Sequence, residues 1–312
     1  MEKTRPILKL MVTMATLLLI VAFGVGHVWS AEKIALKKYP DLKIGFTTTN
    51  FLQPLPVSMA NAKKLIDWAS DQGFAWIELR DPSAKLTLDE CKQLAAYARE
   101  KKMEVGYAVQ VGLLDPTFWE IFFRGVANAP VFEGPKTLRT LAAMGEFGAD
   151  PKKKAWTLTE LYKAVKTANK AANIAKSMGV QYVAENSFEP LKGDGVTGFG
   201  ATEFFANVNS NVGWQMDTAN FFAVSRVWTK PEDAQAFLEK NIGNLYYTHL
   251  KSSKEKKTTD ILGENELAIE TILDILAKNK IYYVAIELPL KPKLEDCQNN
   301  LMKSIEFLKK NY

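Results

Sequence analysis

The chain has 312 residues and a formal net charge of +5, with 40 basic and 35 acidic side chains. Charges this evenly balanced argue against nucleic-acid binding, which generally needs a marked excess of basic residues. The length beyond the first 30 residues suits one α/β barrel of about 250 residues or two small domains.

Residues 1–30 are predicted to form a secretory signal peptide that is removed from the mature protein. Basic side chains precede an uncharged stretch at residues 10–31, and Val28-Trp29-Ser30 is similar to a small-residue cleavage site apart from its tryptophan. The alternative is an uncleaved membrane anchor, because the uncharged stretch is long enough to span a bilayer. The sequence therefore predicts a periplasmic or secreted protein that meets a membrane only through this leader.

Short β-rich apolar segments alternate with amphipathic helical segments along residues 31–312, a pattern typical of a parallel sheet. In chain order, the predicted strands are 43–48, 75–79, 104–109, 137–142, 180–185, 212–217, 245–250 and 281–288. The predicted helices are 60–70, 86–101, 116–128, 158–178, 203–209, 231–241, 267–278 and 296–309, and Thr87 with Glu90 has the spacing of a capping box. Eight strands and eight helices predict one (β/α)8 barrel of the TIM type over residues 31–312, with a doubly wound open sheet as the alternative.

The chain has two cysteines, Cys91 and Cys297, near the starts of predicted helices in different strand–helix units. An exported location permits a disulfide, but the pattern does not show that the two residues meet. Two buried thiols that are not bonded to each other are the favoured interpretation.

Three acidic residues and one histidine stand at the ends of four successive predicted strands. They are Glu185, Asp217, His249 and Glu287, at intervals of 32, 32 and 38 residues, about one strand–helix unit each. Side chains at the C-terminal ends of barrel strands converge, and a buried carboxylate is costly unless it is paired or bound to metal. The four residues predict a site for one divalent ion, and their donors suit Mn²⁺, Mg²⁺, Co²⁺ or Zn²⁺ without choosing among them. For each acid taken alone, a salt bridge to a lysine or arginine is the alternative.

These residues lie in short motifs whose order resembles that of the xylose isomerase-like barrel superfamily, the sugar isomerases and epimerases. The motifs are Ala184-Glu185-Asn186, Asp217-Thr218-Ala219-Asn220, His249-Leu250-Lys251, Leu262-Gly263-Glu264-Asn265 and Ile286-Glu287. The resemblance implies that a bound ion polarises a sugar carbonyl and acidifies the neighbouring C–H. It also implies that Glu185 and Glu287 serve both as ligands and as the acid–base pair on opposite faces of the sugar.

The sequence departs from the family pattern at its histidines. Asn220 stands where the epimerases commonly carry a histidine, and His249 is the only histidine beyond the leader. The early-strand catalytic histidine of true xylose isomerases is missing. The endonuclease branch needs several histidines for a zinc cluster, so DNA repair is disfavoured.

Three residues are predicted to contact the substrate: Lys251, Glu78 and Asn220. Lys251 lies two residues after His249 and therefore points to the same side of its strand, where it would hold a substrate oxygen or pair with an acid. Glu78 ends the second predicted strand, where it would line the pocket or pair with Arg80 or a lysine.

These features predict an exported, metal-dependent sugar isomerase or epimerase that abstracts a proton next to a carbonyl. The predicted partner is a small sugar or keto-sugar. Two alternatives stay open: a lyase or hydrolase that acts on keto-sugars by the same proton abstraction, and a carbohydrate-binding barrel without catalysis.

Overall fold

The computed structural model describes residues 31–142, 155–186, 199–220, 222, 230–255, 257–263 and 265–312. The predicted signal peptide, residues 1–30, and Glu264 of the predicted glycine-containing motif lie outside these ranges. Within them, no helix combines the length and the apolar character that crossing a membrane requires. The boundary between leader and barrel stays a prediction.

Eight parallel strands close into a barrel in which each strand pairs with its neighbours in sequence and the last pairs with the first. Because residues 43–46 of the first strand pair with residues 283–286 of the last, the predicted (β/α)8 barrel is confirmed and the open-sheet alternative is wrong. The strands are β1 (Lys43–Thr47), β2 (Trp76–Arg80), β3 (Glu104–Gly112), β4 (Thr137–Leu141), β5 (Gln181–Glu185), β6 (Gly213–Asp217), β7 (Leu245–Leu250) and β8 (Tyr283–Ile286).

One α-helix follows each strand along the chain. These helices are α1 (Met59–Asp71), α2 (Leu88–Glu100), α3 (Phe118–Asn128), α4 (Leu158–Ser177), α5 (Ala201–Asn207), α6 (Pro231–Asn241), α7 (Ile269–Lys278) and α8 (Leu294–Asn311). The predicted capping box of α2 is confirmed: Thr87 Oγ1 accepts from the Glu90 amide at 3.2 Å, and Glu90 Oε2 accepts from the Thr87 amide at 2.9 Å. Such a cap stabilises a helix by about 1 kcal/mol.

The barrel wall separates two apolar layers, because successive side chains of a strand point to opposite faces. Outward-facing residues such as Ile44, Tyr182 and Leu250 belong to the large core that includes the buried helix residues. A second, small cluster of Trp76, Val183, Tyr247 and Ala285 comes from inward-facing positions.

The inner cluster depends on a glycine. A Cβ at Gly45 would lie 2.3 Å from the carbonyl oxygen of Trp76 and 2.5 Å from its indole ring. The indole Nε1 donates to the carbonyl oxygens of Lys43 and Val284 at 3.0 and 3.2 Å, so its polar atom is satisfied. Trp76 thus fills the lower barrel interior and leaves the polar inward-facing residues towards the C-terminal ends of the strands.

The two cysteines are both buried and free, as the sequence analysis favours. Burial raises the pKa of the Cys91 thiol to about 12, which keeps it protonated and unreactive at neutral pH.

Candidate active site

The upper interior of the barrel is lined by charged side chains that lie on the inward face of their strands. Alternation along β7 puts Tyr247, His249 and Lys251 on one side, and the same rule applies to the other strands. Every member of this charged group is at most 8% exposed. The group consists of Glu78 from β2, Arg139 from β4, Glu185 from β5, Asp217 from β6, His249 from β7, and Lys251 and Glu287, which follow β7 and β8.

Three of the four predicted metal ligands form a tight group. Glu185, Asp217 and His249 each offer one ligand atom, and these atoms all lie within 4.8 Å of one another. Asp217 Oδ1 accepts from the backbone amides of Ala219 and Asn220 at 2.9 and 3.0 Å, which fixes the carboxylate. Its other oxygen, Oδ2, lies 3.5 Å from Lys251 Nζ and has no hydrogen-bond partner within the described ranges. A buried carboxylate oxygen left in this way is suited to a cation.

Glu287 lies beside this group and is paired twice. Its Oε1 accepts from Lys251 Nζ at 2.9 Å, and its Oε2 lies 2.8 Å from His249 Nδ1. Glu287 therefore contacts Nδ1 of His249, whereas Glu78 contacts the other ring nitrogen, Nε2. Its role as a fourth ligand stays a prediction.

Glu78 contacts His249 and is 1% exposed. Its Oε2 accepts from the Tyr247 hydroxyl at 2.5 Å and lies 3.1 Å from His249 Nε2. Its Oε1 accepts from Thr47 Oγ1 at 2.9 Å and from Arg139 Nη2 at 3.2 Å. With both oxygens engaged in this way, Glu78 is better placed to orient His249 than to contact a substrate.

The cationic partner of Glu78 is Arg139, not the Arg80 or lysine that the sequence suggested. Arg80 shares the inward face of β2 but lies two residues beyond Glu78 towards the end of the strand. On the neighbouring strand β3, the residues in register with Glu78 and Arg80 are the small Gly106 and Ala108. These small residues leave room for the long side chain of Arg139, which pairs in register with Ala108.

Arg139 is the main residue of the site that the sequence analysis missed. It is fully buried, and its Nη1 also pairs with Glu185 Oε2 at 2.7 Å. The available signal was an arginine between Leu138 and Thr140 in a short strand, at an inward position of a barrel. Tyr247 and Gln215 were missed as well, and both are buried on inward faces.

Asparagines brace the ligand residues. Asn186, directly after Glu185, accepts from the Asp217 amide at 2.6 Å and donates to the Asp217 carbonyl at 3.0 Å, which joins the ends of β5 and β6. Asn220 donates to Glu185 Oε1 at 3.2 Å. Asn220 thus contacts Glu185, and its predicted contact with substrate stays a prediction.

Burial and the ion pairs shift the pKa values of these groups in different directions. Burial raises the pKa of Asp217 to about 6, against the opposing charge of Lys251. Burial also raises the pKa of Glu185, more than Arg139 lowers it. For Glu78, burial is outweighed by the charges of His249 and Arg139, which bring its pKa to about 2.

The imidazole of His249 holds its proton tightly when only protein groups surround it. Burial alone would lower its pKa, but the Glu78 carboxylate and the hydrogen bond to Glu287 raise it to about 10. Four carboxylates contact two permanent cations, Arg139 and Lys251, and a third cation, Arg80, is buried on the same inward face, so an excess of negative charge is left once His249 is neutral. A divalent cation would offset that excess, and the oxygen and nitrogen donors fit such an ion.

The fold is a closed (β/α)8 barrel, and its carboxylates and histidine lie together at the C-terminal ends of the strands. The protein is therefore a TIM-type barrel with a candidate metal site. Residues 66–311 match the family described as xylose isomerase-like TIM barrel, and the chain belongs to this family. A comparison with curated protein sequences gave no match.

Solved structures share the fold at low sequence identity. D-psicose 3-epimerase with D-tagatose from Clostridium cellulolyticum H10 is 14% identical, with a TM-score of 0.62 over 86% of this chain and 99% of that one. A xylose isomerase-like TIM barrel protein from Mycobacterium smegmatis in complex with magnesium is 14% identical, with a TM-score of 0.62 over 86% and 97%. The IOLI protein with a zinc atom is 17% identical, with a TM-score of 0.57 over 86% and 96%.

Proposed function

We propose that this protein is a divalent-metal-dependent sugar isomerase or epimerase that moves a proton at a carbon next to a carbonyl. The observation that carries the proposal is the buried group of Glu185, Asp217 and His249 with Glu287 beside it. The excess of carboxylates over cations in this group suits a divalent ion, as does Asp217 Oδ2, which has no hydrogen-bond partner among the described residues. Relatives in fold with magnesium, zinc or a ketose support the same assignment.

Glu185, Asp217, His249 and Glu287 are the residues that would hold the ion. When bound there, a divalent ion supplies Lewis acidity that polarises a sugar carbonyl and acidifies the neighbouring C–H. Glu78 keeps the His249 ring oriented through the 3.1 Å contact to Nε2, so that Nδ1 faces the ligand group. Proton transfer and stabilisation of the developing negative charge are assigned to the carboxylates and to Lys251.

Glu185 and Glu287 are proposed to exchange the proton. They come from β5 and from the end of β8, so they approach the pocket from different sides of the barrel. One carboxylate takes the proton and the other returns one to the opposite face, which inverts the carbon. Lys251 Nζ, 2.9 Å from Glu287 and 8% exposed, is placed to stabilise the negative oxygen that develops as the proton leaves.

Solvent-exchange NMR tests this proposal directly. Metal-replete protein, incubated in D₂O with free ketoses, aldoses and keto-sugars, is expected to wash one deuterium into a C–H beside the carbonyl. A lyase on the same barrel would also exchange this proton but would release an unsaturated product. Absence of exchange with every sugar tested would contradict the proposal and favour a binding barrel, for which the Asn220 departure is the specific observation.

We also propose that the mature protein lies outside the cytoplasm. The basic start and the uncharged stretch of residues 10–31 support export with cleavage near Ser30. Mass spectrometry of the protein from its native host is expected to find a mature N-terminus close to residue 31 in the periplasmic or secreted fraction. An intact Met1 terminus in the membrane fraction would show that the leader stays as an anchor.

A further inference from the structure

We propose that Arg139 is a positioning residue that sets the geometry of the candidate metal site by holding two carboxylates at once. This inference rests on the proposed function, since it concerns the same site. Arg139 is fully buried, and its two terminal nitrogens reach different strands. Nη1 lies 2.7 Å from Glu185 Oε2 on β5, and Nη2 lies 3.2 Å from Glu78 Oε1 on β2.

Through these two contacts, the guanidinium of Arg139 fixes the position of two of the three grouped ligand residues, Glu185 and His249. Glu185 is held directly. His249 is held indirectly, through Glu78, because Glu78 Oε2 lies 3.1 Å from His249 Nε2. The same carboxylate oxygen also accepts from the Tyr247 hydroxyl at 2.5 Å. A histidine that binds metal usually donates its other ring N–H to a carboxylate or a carbonyl, which fixes the tautomer and the ring orientation. Glu78 stands in that position, and Arg139 holds Glu78.

The planar fork of arginine is what this arrangement needs. A guanidinium presents donors in fixed directions and can bind two carboxylates simultaneously, whereas a lysine ammonium is a single point charge on a flexible stem. In Arg139→Lys, the ammonium keeps the positive charge but cannot span both Glu78 and Glu185 with the same geometry. The substitution therefore separates the placement of the ligands from the charge of the site.

The two effects must be separated because the positive charge of Arg139 and its placement of the ligands change metal affinity in opposite directions. A buried cation repels a divalent ion, so deleting the positive charge of Arg139 would by itself strengthen metal binding. Losing the placement of Glu185 and His249 would weaken it. Arg139→Lys holds the charge constant, so a change in metal affinity reports on placement.

The experiment measures Mn²⁺ affinity by calorimetry on chelator-treated wild type and Arg139→Lys, with the melting temperature of both metal-free proteins. Loss of a residue that orients ligands typically costs about 10–100-fold in metal affinity, and a loss of that size is expected here. The absorption spectrum of the Co²⁺-loaded variant is expected to shift, because it reports ligand geometry. Arg124→Lys is the matched control, since Arg124 forms an exposed ion pair with Glu120 at 3.0 Å and should leave both readouts unchanged.

The outcomes separate this inference from the function it rests on. Wild type that binds no divalent ion contradicts the proposed function. Wild type that binds Mn²⁺, with Arg139→Lys binding it equally well and giving the same Co²⁺ spectrum, overturns the role of Arg139. If Arg139→Lys does not fold, the paired variant Arg139→Gln with Glu78→Gln removes one buried charge of each sign, and unchanged Mn²⁺ affinity in that variant overturns the inference.

Discussion

Replacing His249 with alanine is expected to remove most of the divalent ion that co-purifies with the protein. His249 is the only histidine beyond residue 30 and the only nitrogen donor of the group Glu185, Asp217 and His249. Its loss also leaves Glu78 and Glu287 without the ring that lies between them. Since disturbing a residue that merely orients a ligand costs about 10–100-fold in affinity, loss of a ligand should cost at least about 100-fold.

Elemental analysis of protein purified without chelator checks this expectation. Tyr246→Ala is a suitable control, because Tyr246 is the neighbour of Tyr247 on β7 but is 38% exposed and outside the charged group. The control should keep full occupancy. Full occupancy in His249→Ala would instead show that the ligand assignment is wrong.

Protons should compete with the metal at the same residues. A ligating His249 must be neutral, but its pKa is raised to about 10, so below that pH the ion has to displace a proton. Metal affinity should therefore fall as the pH falls below about 10, by up to about tenfold per pH unit for one proton. The dependence should steepen below about 6, where Asp217 also takes up a proton. Calorimetry in buffers of different ionisation enthalpy measures the protons released, and an affinity that does not change between pH 7 and 9 would contradict this.

The sequence was sufficient to predict the barrel and the strand ends that carry Glu185, Asp217 and His249. The reason is local: each acid or histidine lies at or next to the end of a largely apolar strand, and helices begin at recognisable caps such as Thr87. Most predicted element ends agree with the structure to within two residues, although β3 runs on to Gly112. The hairpin of Ser253–Lys254 with Lys257–Thr258 was missed because strands of two residues have no periodicity to detect.

The pairing pattern inside the barrel could not be predicted in the same way. Glu78 and Arg139 are 61 residues apart in sequence, and Tyr247 lies 169 residues from Glu78. Which cation meets which carboxylate depends on the register of β2, β3 and β4 and on the small side chains of β3. Sequence alternation gives the face of a strand but not the height at which two inward side chains meet.

The buried charges also explain why the site should be rigid. An ionised carboxylate inside a barrel is costly unless its oxygens are paired, and removal of one partner of a buried pair generally destabilises a protein strongly. Here Arg139, Lys251 and the His249 ring each contact two carboxylates. A change at any of the three therefore affects two acids at once, which is why charge-conserving variants are the informative ones.

Replacing Glu287 with glutamine is expected to slow deuterium exchange at the sugar carbon by about 10²–10⁴-fold, the usual effect of losing one positioned base. Sugar binding should weaken far less, because a base acts chiefly in the transition state. In the wild type, Lys251 Nζ donates to Glu287 Oε1 at 2.9 Å. Glutamine has nearly the same shape, and its carbonyl oxygen can still accept this hydrogen bond. The amide cannot take a proton at neutral pH, so the variant removes the base while it disturbs the packing little.

Exchange rates must be compared at equal metal occupancy, because Glu287 is also a predicted ligand. Rates of the variant and of wild type are therefore measured by NMR in D₂O with saturating Mn²⁺, and the bound metal is determined in the same samples. Glu104→Gln provides the matched control, since Glu104 begins β3 at the opposite end of the barrel and pairs with Lys43 and Tyr283 at 2.6 Å each. That control should exchange at the wild-type rate. A Glu287→Gln protein with full metal occupancy and undiminished exchange would show that the proton is carried by another group, and Glu185 would then be the first residue to test.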